Sequence, residues 1–434
     1  MKRVIAAPIM LMAAACVAHP TPYVVPDISL TGRSLAQTTE EGSGIDLLSP
    51  LKTGTLADMA VLNNPDLVAM RTEAGLADAQ VFAAGLLPDP AISLGADFPL
   101  NGAHEVTALA ASLGLDLAAL STRPGRIEAA EAQASGIRKD ILWAEWLTRQ
   151  NAKLLATRIA WLDTIKLKTA EYRSLADSDL RRAIAAASRG DIAAIEVDAR
   201  RLAAADASDR DRSAENQLAS ARLDLNRLLG IAPGEFVAVE PPASMSGKDW
   251  SGNKLFEAAL EYRSDLQGLR DGLRASNAGI SVADASRFPL PSISLNAGRD
   301  TGSIRTLGPA VTFTLPVWNR ARGELAIAKA SRTVLETQYR ARCETVRADI
   351  GAALTAHEIA NRQYSDVARD LAGISDQADR AAAAANRGDI SDTSAAATRL
   401  TALDKEILAD TLSLAAAEAA IALETATGRP LDTF

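Results

Sequence analysis

Two stretches of the chain decide its fold, SRGDIAAIEVDARRLAAAD at residues 188–206 and NRGDISDTSAAATRLTALD at residues 386–404. Both contain the run Arg-Gly-Asp-Ile and a later Arg-Leu pair, and all of these matches have the same offset of 198 residues. Self-similarity at one fixed spacing indicates that a structural unit occurs more than once. The chain is therefore predicted to contain two copies of one unit.

A second pair of matching stretches lies upstream, LLPDPAISLG at residues 86–95 and RFPLPSISLN at residues 287–296. After its prolines, each run alternates apolar and polar residues with the period of a strand. Each is followed by a polar or glycine-containing connection and a second alternating run, EVTALAASLGLDL at residues 105–117 and RTLGPAVTFTLP at residues 305–316. One β-hairpin is therefore predicted in each copy.

Helices are predicted on both sides of each hairpin. Residues 54–86 precede the first hairpin, and two alanine-rich runs without internal proline, residues 126–188 and 324–386, follow the two hairpins. Each long run reaches about 90 Å as a helix. The returning helices carry apolar residues at coiled-coil spacing. These residues are Leu218, Ala221, Leu225 and Leu228 in the first copy, and Leu400, Leu403, Ile407, Leu414, Ala417 and Ile421 in the second.

The beginning of the chain is typical of a bacterial export signal, with Lys2 and Arg3 before an apolar run. Small residues before Cys16 favour lipidation of that cysteine, whereas an ordinary cut after Ala18 would discard it. Removal of the signal changes the formal charge from −8 to −10, and no basic run remains to bind nucleic acid. The predicted parts are a signal (1–15), an extended segment (16–53), the first repeat (54–232), a linker (233–252), the second repeat (253–430) and a tail (431–434).

The strands must be completed by other chains if the protein spans a membrane. After the signal no segment approaches 18 consecutive apolar residues, so an ordinary transmembrane helix is not expected. Four strands cannot close into a barrel, because the smallest membrane barrels have about eight. A cyclic trimer would supply twelve strands, so the predicted fold class is mainly α with a shared membrane β-barrel.

The order of helix, hairpin, long helix, glycine-containing turn and returning helix, repeated once, resembles the TolC family of outer-membrane efflux proteins. The most specific stretch is LPVWNRARGE at residues 315–324, which is similar to the end of the second hairpin in heavy-metal and multidrug members. The first hairpin lacks this run, and aromatic residues are only 4% of the chain, which is few for membrane-interface girdles.

The resemblance implies long antiparallel helical coiled coils plus two β-hairpins per protomer. Three protomers would form a 12-stranded barrel in the outer membrane of a Gram-negative bacterium and a periplasmic α-helical tunnel. The implied partners are outer-membrane lipid, a periplasmic adaptor protein and an inner-membrane pump of the RND type.

Two sets of candidate functional residues follow. Local physics predicts that Gly190 and Gly388 end helices with positive φ and that the aspartates beside them cap the next helices. The resemblance places these turns at the periplasmic tips, and the predicted adaptor contacts are Arg189, Gly190, Asp191, Arg387, Gly388 and Asp389. It also makes Glu196 and Asp392 candidates for a pore constriction; a solvated helix face is the competing interpretation.

Catalytic signatures are missing from the sequence. The motif HEIAN begins at His357 but has Asn361 where a metalloprotease has its second histidine ligand. Neither an enzyme activity, a cofactor nor a bound metal is expected. The predicted function is a passive exit duct of a tripartite efflux system; the alternatives are an outlet for type I protein secretion and a non-conducting coiled-coil lipoprotein that spaces the envelope layers.

Overall fold

The computed structural model describes residue 24 and residues 32–38, 46–47, 49–100, 106–241, 250–288 and 290–433. The predicted signal and Cys16 lie outside the described residues. The α-helices of the described part are α1 (Thr53–Asn63), α2 (Pro65–Gly85), α3 (Leu117–Ser188), α4 (Ala194–Leu229), α5 (Gly252–Tyr262), α6 (Ser264–Ala285), α7 (Arg322–Asn386) and α8 (Asp392–Thr427). The strands are β1 (Ala91–Asp97), β2 (Ala108–Asp116), β3 (Ser292–Arg299) and β4 (Arg305–Thr312).

The order of elements confirms the repeat, since two helices, a hairpin, a long helix and a returning helix occur twice. The helical structure predicted for residues 54–86 is confirmed, but it is divided into two helices at Asn64 and Pro65. Proline has no backbone N–H and suits the first position of a helix. Asn64 is extended, and its side chain accepts hydrogen bonds from the N–H groups of Asp66 and Leu67, so a new helix begins there.

The first long helix begins nine residues earlier than the sequence predicted. The side chain of Asp116 caps it by accepting from the N–H groups of Ala118 and Ala119, and Pro124 lies near its beginning. With 72 and 65 residues, α3 and α7 are about 108 Å and 98 Å long at 1.5 Å per residue. None of the described helices is apolar enough over a sufficient length to cross a membrane.

The long helices form one layer whose order changes along its length. In the half nearer the sheet, α2, α3, α6 and α7 lie side by side, and in the other half the order is α4, α3, α8 and α7. The short helices α1 and α5 pack against this layer where the two halves meet. The largest apolar core lies there, around Leu56, Ile159 and Leu225, and a smaller one surrounds Leu255, Val346 and Leu423.

The coiled-coil seam of the first copy is confirmed, because Leu218, Ala221 and Leu225 of α4 are buried. The seam of α8 agrees with the prediction only in part, because Leu403 is the one residue of the predicted set that is buried. Its buried stripe is Ala402, Ala409, Ala416 and Leu423, spaced seven residues apart. The predicted stripe containing Ile407 and Leu414 is half-buried against the core of the first copy. Helix α8 has two apolar stripes because it lies between α3 and α7, and the alanines allow α7 to approach closely.

Candidate functional site: the sheet and the helical tips

The four strands form one antiparallel sheet in the order β1-β2-β3-β4. Ile92 lies opposite Leu113, Leu113 opposite Leu295, and Ile293 opposite Val311. Strands β1 and β4 are the two edges, and each has strand pairing on one side only among the described residues. Unpaired strand edges are templates for pairing with another chain.

The sheet has one apolar face and one face of small and polar residues. Residues of one parity project to the same face, because successive side chains alternate along a strand. The apolar face carries Ile92, Leu94, Ala96, Leu109, Ala111, Leu113, Leu115, Ile293, Leu295, Ala297, Leu307, Pro309 and Val311, and it ends at the hairpin turn in Arg299 and Arg305. The other face carries Ala91, Ser93, Gly95, Asp97, Ala108, Ala110, Ser112, Gly114, Asp116, Ser292, Ser294, Asn296, Gly298, Thr306, Gly308, Ala310 and Thr312.

The apolar face is uncovered, since the leucine and isoleucine side chains on it are between 40% and 72% exposed. Few large apolar side chains line the opposite face, which therefore suits contact with water. A sheet that is apolar on one face and polar on the other has the pattern of strands that lie between lipid and an aqueous lumen.

The edges of the helix layer are also uncovered. Large apolar side chains are exposed on the outer helices α2, α4 and α7. They include Val68, Leu76 and Phe82 on α2, Ile195 and Leu202 on α4, and Ile327 and Val334 on α7. Exposed apolar surface of this extent marks an interaction surface. Within the described ranges, both the sheet and the helix layer therefore have uncovered apolar surface at their edges.

The turn that follows each long helix, residues 189–193 and 387–391, is here called a tip. The predicted positive φ is confirmed, with 81° at Gly190 and 80° at Gly388. The N–H of Gly190 donates to the carbonyl of Ala187 at 3.0 Å, and the N–H of Asp191 donates to that of Ala186 at 3.0 Å. The second tip has the same pair of bonds. This Schellman arrangement satisfies carbonyls that the helix end would leave unpaired.

The prediction that aspartates cap the next helices is wrong. Helix α4 begins after Ala193 without a side-chain cap, and α8 is capped by Ser391. Two residues separate each aspartate from its helix, so the carboxylate pairs instead with its own arginine. The Nε–Oδ2 distance is 2.9 Å for both Arg189–Asp191 and Arg387–Asp389, and all four side chains are exposed.

The candidate constriction residues lie in the first turns of the returning helices. Glu196 is the third residue of α4 and Asp392 is the first residue of α8, and both are exposed. His357, which begins the motif HEIAN, makes hydrogen bonds within the helix layer. The buried ring of His357 donates from Nδ1 to the carbonyl of Ala416, and its Nε2 accepts from Asn361.

Sequence reasoning missed a row of ion pairs that joins the two copies across α3 and α8. Lys153 pairs with Glu424, Arg158 with Glu418 at 2.7 Å, Lys168 with Asp410 at 2.6 Å, and Glu171 with Arg399 at 2.8 Å. The first three pairs place the cation on α3. The last, nearest the tips, reverses the signs, so a shift of the two helices past one another would bring like charges together.

A buried charged cluster in the second copy was also missed. Arg263 forms a two-pronged bond to Asp265 at 3.0 and 2.7 Å, donates to the carbonyl of Ala426 at 2.8 Å, and lies 4.1 Å from the ring centre of Trp143. Arg342 donates to the same carboxylate at 2.8 Å. Burial alone raises the pKa of Asp265, but the two guanidinium groups outweigh it and hold the pKa below its ordinary value.

Comparison with known proteins identifies the fold. No protein-family model and no curated protein matches the chain by sequence. Solved structures do match. The Campylobacter jejuni CmeC outer membrane channel has a TM-score of 0.69 at 16% identity, with 94% of each chain covered.

Two further solved structures have the same fold. The outer membrane protein VceC from Vibrio cholerae has a TM-score of 0.67 at 15% identity, covering 87% of this chain and 96% of its own. The Neisseria gonorrhoeae MtrE outer membrane channel, in its open state, has a TM-score of 0.62 at 18% identity, covering 96% and 99%. The matches extend over nearly the whole of each structure. The chain therefore has the TolC-like fold of the outer-membrane channel proteins.

Proposed function

We propose that this chain is one protomer of a homotrimeric outer-membrane channel and that the trimer is the exit duct of a tripartite efflux system. The observation that carries the proposal is the two-faced sheet with open edges. The described part of each chain has an even number of antiparallel strands, so in a ring β4 of one protomer runs antiparallel to β1 of the next. Three copies then make a closed sheet of twelve strands, with the apolar face towards lipid and the polar face towards the lumen.

The outer helices of the helix layer also support closure into a ring of three protomers. Helix α7 is one edge of the layer along its whole length, whereas the other edge is α2 near the sheet and α4 near the tips. In a ring, α7 of one protomer meets α2 and α4 of its neighbour, which covers the exposed apolar side chains on all three helices. The helices reach about 100 Å beyond the sheet, which suits a tunnel through the periplasm.

The implied partners follow from the direction of the duct. The tips form the end of the molecule farthest from the membrane, where an adaptor protein and an inner-membrane pump of the RND type would deliver cargo. The six tip residues, from Arg189 to Asp191 and from Arg387 to Asp389, are the proposed adaptor contacts. Lipidation of Cys16 would add an anchor in the outer membrane.

Two other functions compete with this one. An outlet for type I protein secretion uses the same architecture, and the cargo separates it from an efflux duct. A non-conducting spacer would need the long helices but gains nothing from a sheet face lined with serine, threonine, glycine and alanine. The polar face therefore favours conduction.

The test uses one cysteine on each face of the sheet in a Cys343→Ser background. We expect the purified trimer to conduct in planar bilayers. A charged, water-soluble thiol reagent should reduce the conductance of the Ser294→Cys trimer, because residue 294 belongs to the polar face. The matched control is Leu295→Cys, one residue further on the apolar face, and its conductance should not change. A trimer that never conducts, or one that is blocked only through residue 295, would contradict the proposal.

A further inference from the structure

Two arginines lie side by side on the apolar face of the sheet, at the end where the hairpins turn. Arg299 is the last residue of β3, Arg305 is the first of β4, and they are direct partners in the strand register. Both have the parity of Ile293 and Val311, so they share the apolar face with them. Like charges directly opposite each other destabilise a sheet, so the pair calls for an external counter-charge.

The described part of the chain supplies no carboxylate to this pair. Arg299 donates from Nη2 to the hydroxyl of Ser303 at 3.0 Å, and neither arginine has an ion pair within the described ranges. The carboxylate of Asp300 accepts from the N–H of Ile304 at 2.8 Å inside the turn. Asp97 lies at the same end of the sheet but belongs to the polar face. Closure against β1 of a neighbour therefore brings no described acid onto the apolar face.

Apolar residues continue from the arginines along the same face. Leu307 follows Arg305 by two residues and is 72% exposed, and Leu295 on β3 is 50% exposed. Long charged side chains at the rim of an apolar surface can cover that surface with their stems and hold their charged heads beyond it. The combination of two cationic heads above an apolar band fits a molecule with an anionic head and hydrocarbon tails.

We propose that Arg299 and Arg305 form a binding site for the phosphate group of a phosphorylated glycolipid in the outer leaflet, whose acyl chains lie along the apolar face. The inference rests on the proposed function, because it needs the hairpins to point outwards from the outer membrane. Guanidinium groups bind phosphate with two parallel hydrogen bonds. The first hairpin has Ala96 opposite Leu109 at its corresponding end, so the described part of each protomer has one such site and a trimer has three.

The experiment measures lipid binding to the purified trimer in mild detergent, independently of conductance. The probes are hexa-acylated lipid A with both phosphates, the same lipid without phosphates, and inorganic phosphate as a competitor. The variant is Arg299→Gln/Arg305→Gln, and Arg299→Lys/Arg305→Lys keeps the charge. The matched control is Arg322→Gln, which removes an exposed arginine at the opposite end of the sheet.

We expect the double glutamine variant to bind phosphorylated lipid A about twenty- to thirtyfold more weakly, since each arginine near a charged membrane surface contributes about fivefold. The lysine variant should retain most of the affinity, and Arg322→Gln should match the wild type. The lipid without phosphates should bind weakly, and with the same affinity, to the wild type and to both double variants. Unchanged binding in the double glutamine variant overturns the inference, and so does full displacement of the lipid by millimolar inorganic phosphate. A trimer that binds lipid A through the arginines but never conducts would overturn the proposed function alone.

Discussion

The two copies make the same contact by different chemistry where each returning helix ends. In the first copy Asn64 donates to the carbonyl of Leu228 at 3.1 Å and caps α2 with its other amide atom. In the second copy Arg263 stands at the equivalent position and donates to the carbonyl of Ala426, but α6 has no side-chain cap. Both residues are buried, with 6% of Asn64 and 2% of Arg263 exposed.

The difference shows that a repeat can conserve a backbone contact while changing the cost of losing it. An asparagine is neutral and satisfies three backbone groups by itself. A buried arginine requires a carboxylate, and the carboxylate of Asp265 in turn holds Arg342 of α7. The second copy therefore ties α6, α7 and α8 together through charges, whereas the first copy relies on a neutral cap.

The largest expected effect comes from breaking these two contacts separately. Arg263→Ala should lower the free energy of unfolding of the trimer by about 3–5 kcal/mol, because it leaves Asp265 buried with one partner removed. Asn64→Ala should cost about 1–2 kcal/mol, the value of a lost cap and hydrogen bond. Guanidinium unfolding of the detergent-solubilised trimer, at one fixed protomer concentration, measures both.

A third variant sharpens the result. Arg263→Met/Asp265→Leu removes both charges, so it should cost less than Arg263→Ala alone. Equal losses for Arg263→Ala and Asn64→Ala would show that the charged cluster is no more important than the neutral cap.

The pH dependence of the free energy of unfolding, through Asp265 of the same cluster, is the next largest effect. It is smaller than the effect of removing Arg263, because protonation of Asp265 removes its charge but leaves its hydrogen-bonding atoms in place. The folded chain lowers the pKa of Asp265. Its stabilisation is therefore complete above the ordinary carboxyl pKa of about 3.9 and is lost as the pH falls through the lowered value. Asp265→Asn should flatten the acid side of a plot of thermal midpoint against pH.

Asp140 of α3 provides a control, because its pKa shifts in the direction opposite to that of Asp265. Burial, and then the charge of Asp265, raise the pKa of Asp140. Its ionised form is therefore penalised in the folded chain, and the penalty grows as the pH rises through the raised value. Asp140→Asn should raise the thermal midpoint near neutral pH. A fall in the midpoint would mean that the carboxylate of Asp140 has a favourable partner in the trimer.

The sequence predicted the helices and strands well and the contacts between them poorly, for a physical reason. Hairpins and long helices follow from local periodicity, and the positive φ of Gly190 follows from local helix-end chemistry. The pair Lys153–Glu424 joins residues 271 apart, and no local pattern indicates that α3 and α8 are neighbours. The role of Arg263 had a visible signal, since Asp66-Leu67 and Asp265-Leu266 match between the copies, which aligns Arg263 with Asn64.

The tips, in contrast, are nearly identical, so the same change should have the same effect in each. Gly190→Ala and Gly388→Ala should each cost about 1–2 kcal/mol, because an L-residue is strained at a φ near 80°. Gly373→Ala is the matched control. This glycine lies inside α7 with open space around it, so alanine there should stabilise the helix by about 0.5–1 kcal/mol. The guanidinium titration used for Arg263 measures all three variants, and a neutral result at either tip would contradict the strain argument.

The smallest expected effect concerns the residues that follow the tips, where the copies differ again. Glu196 is in the first turn of α4, and the corresponding residue of α8 is Ser394, with Asp392 two residues earlier. A carboxylate in the first turn of a helix stabilises it by about 0.3–1 kcal/mol through the helix dipole, so a change in stability does not distinguish a pore residue from a solvated helix face.

Ion selectivity distinguishes a pore residue from a solvated helix face. In a trimer, Glu196→Gln removes three carboxylates around one axis and should weaken cation preference, measured as a smaller reversal potential across a salt gradient. Asp392→Asn is the comparison in the second copy. If the Glu196→Gln trimer keeps both its reversal potential and its conductance, the side chain faces away from the lumen, and the constriction must be sought elsewhere in the tunnel.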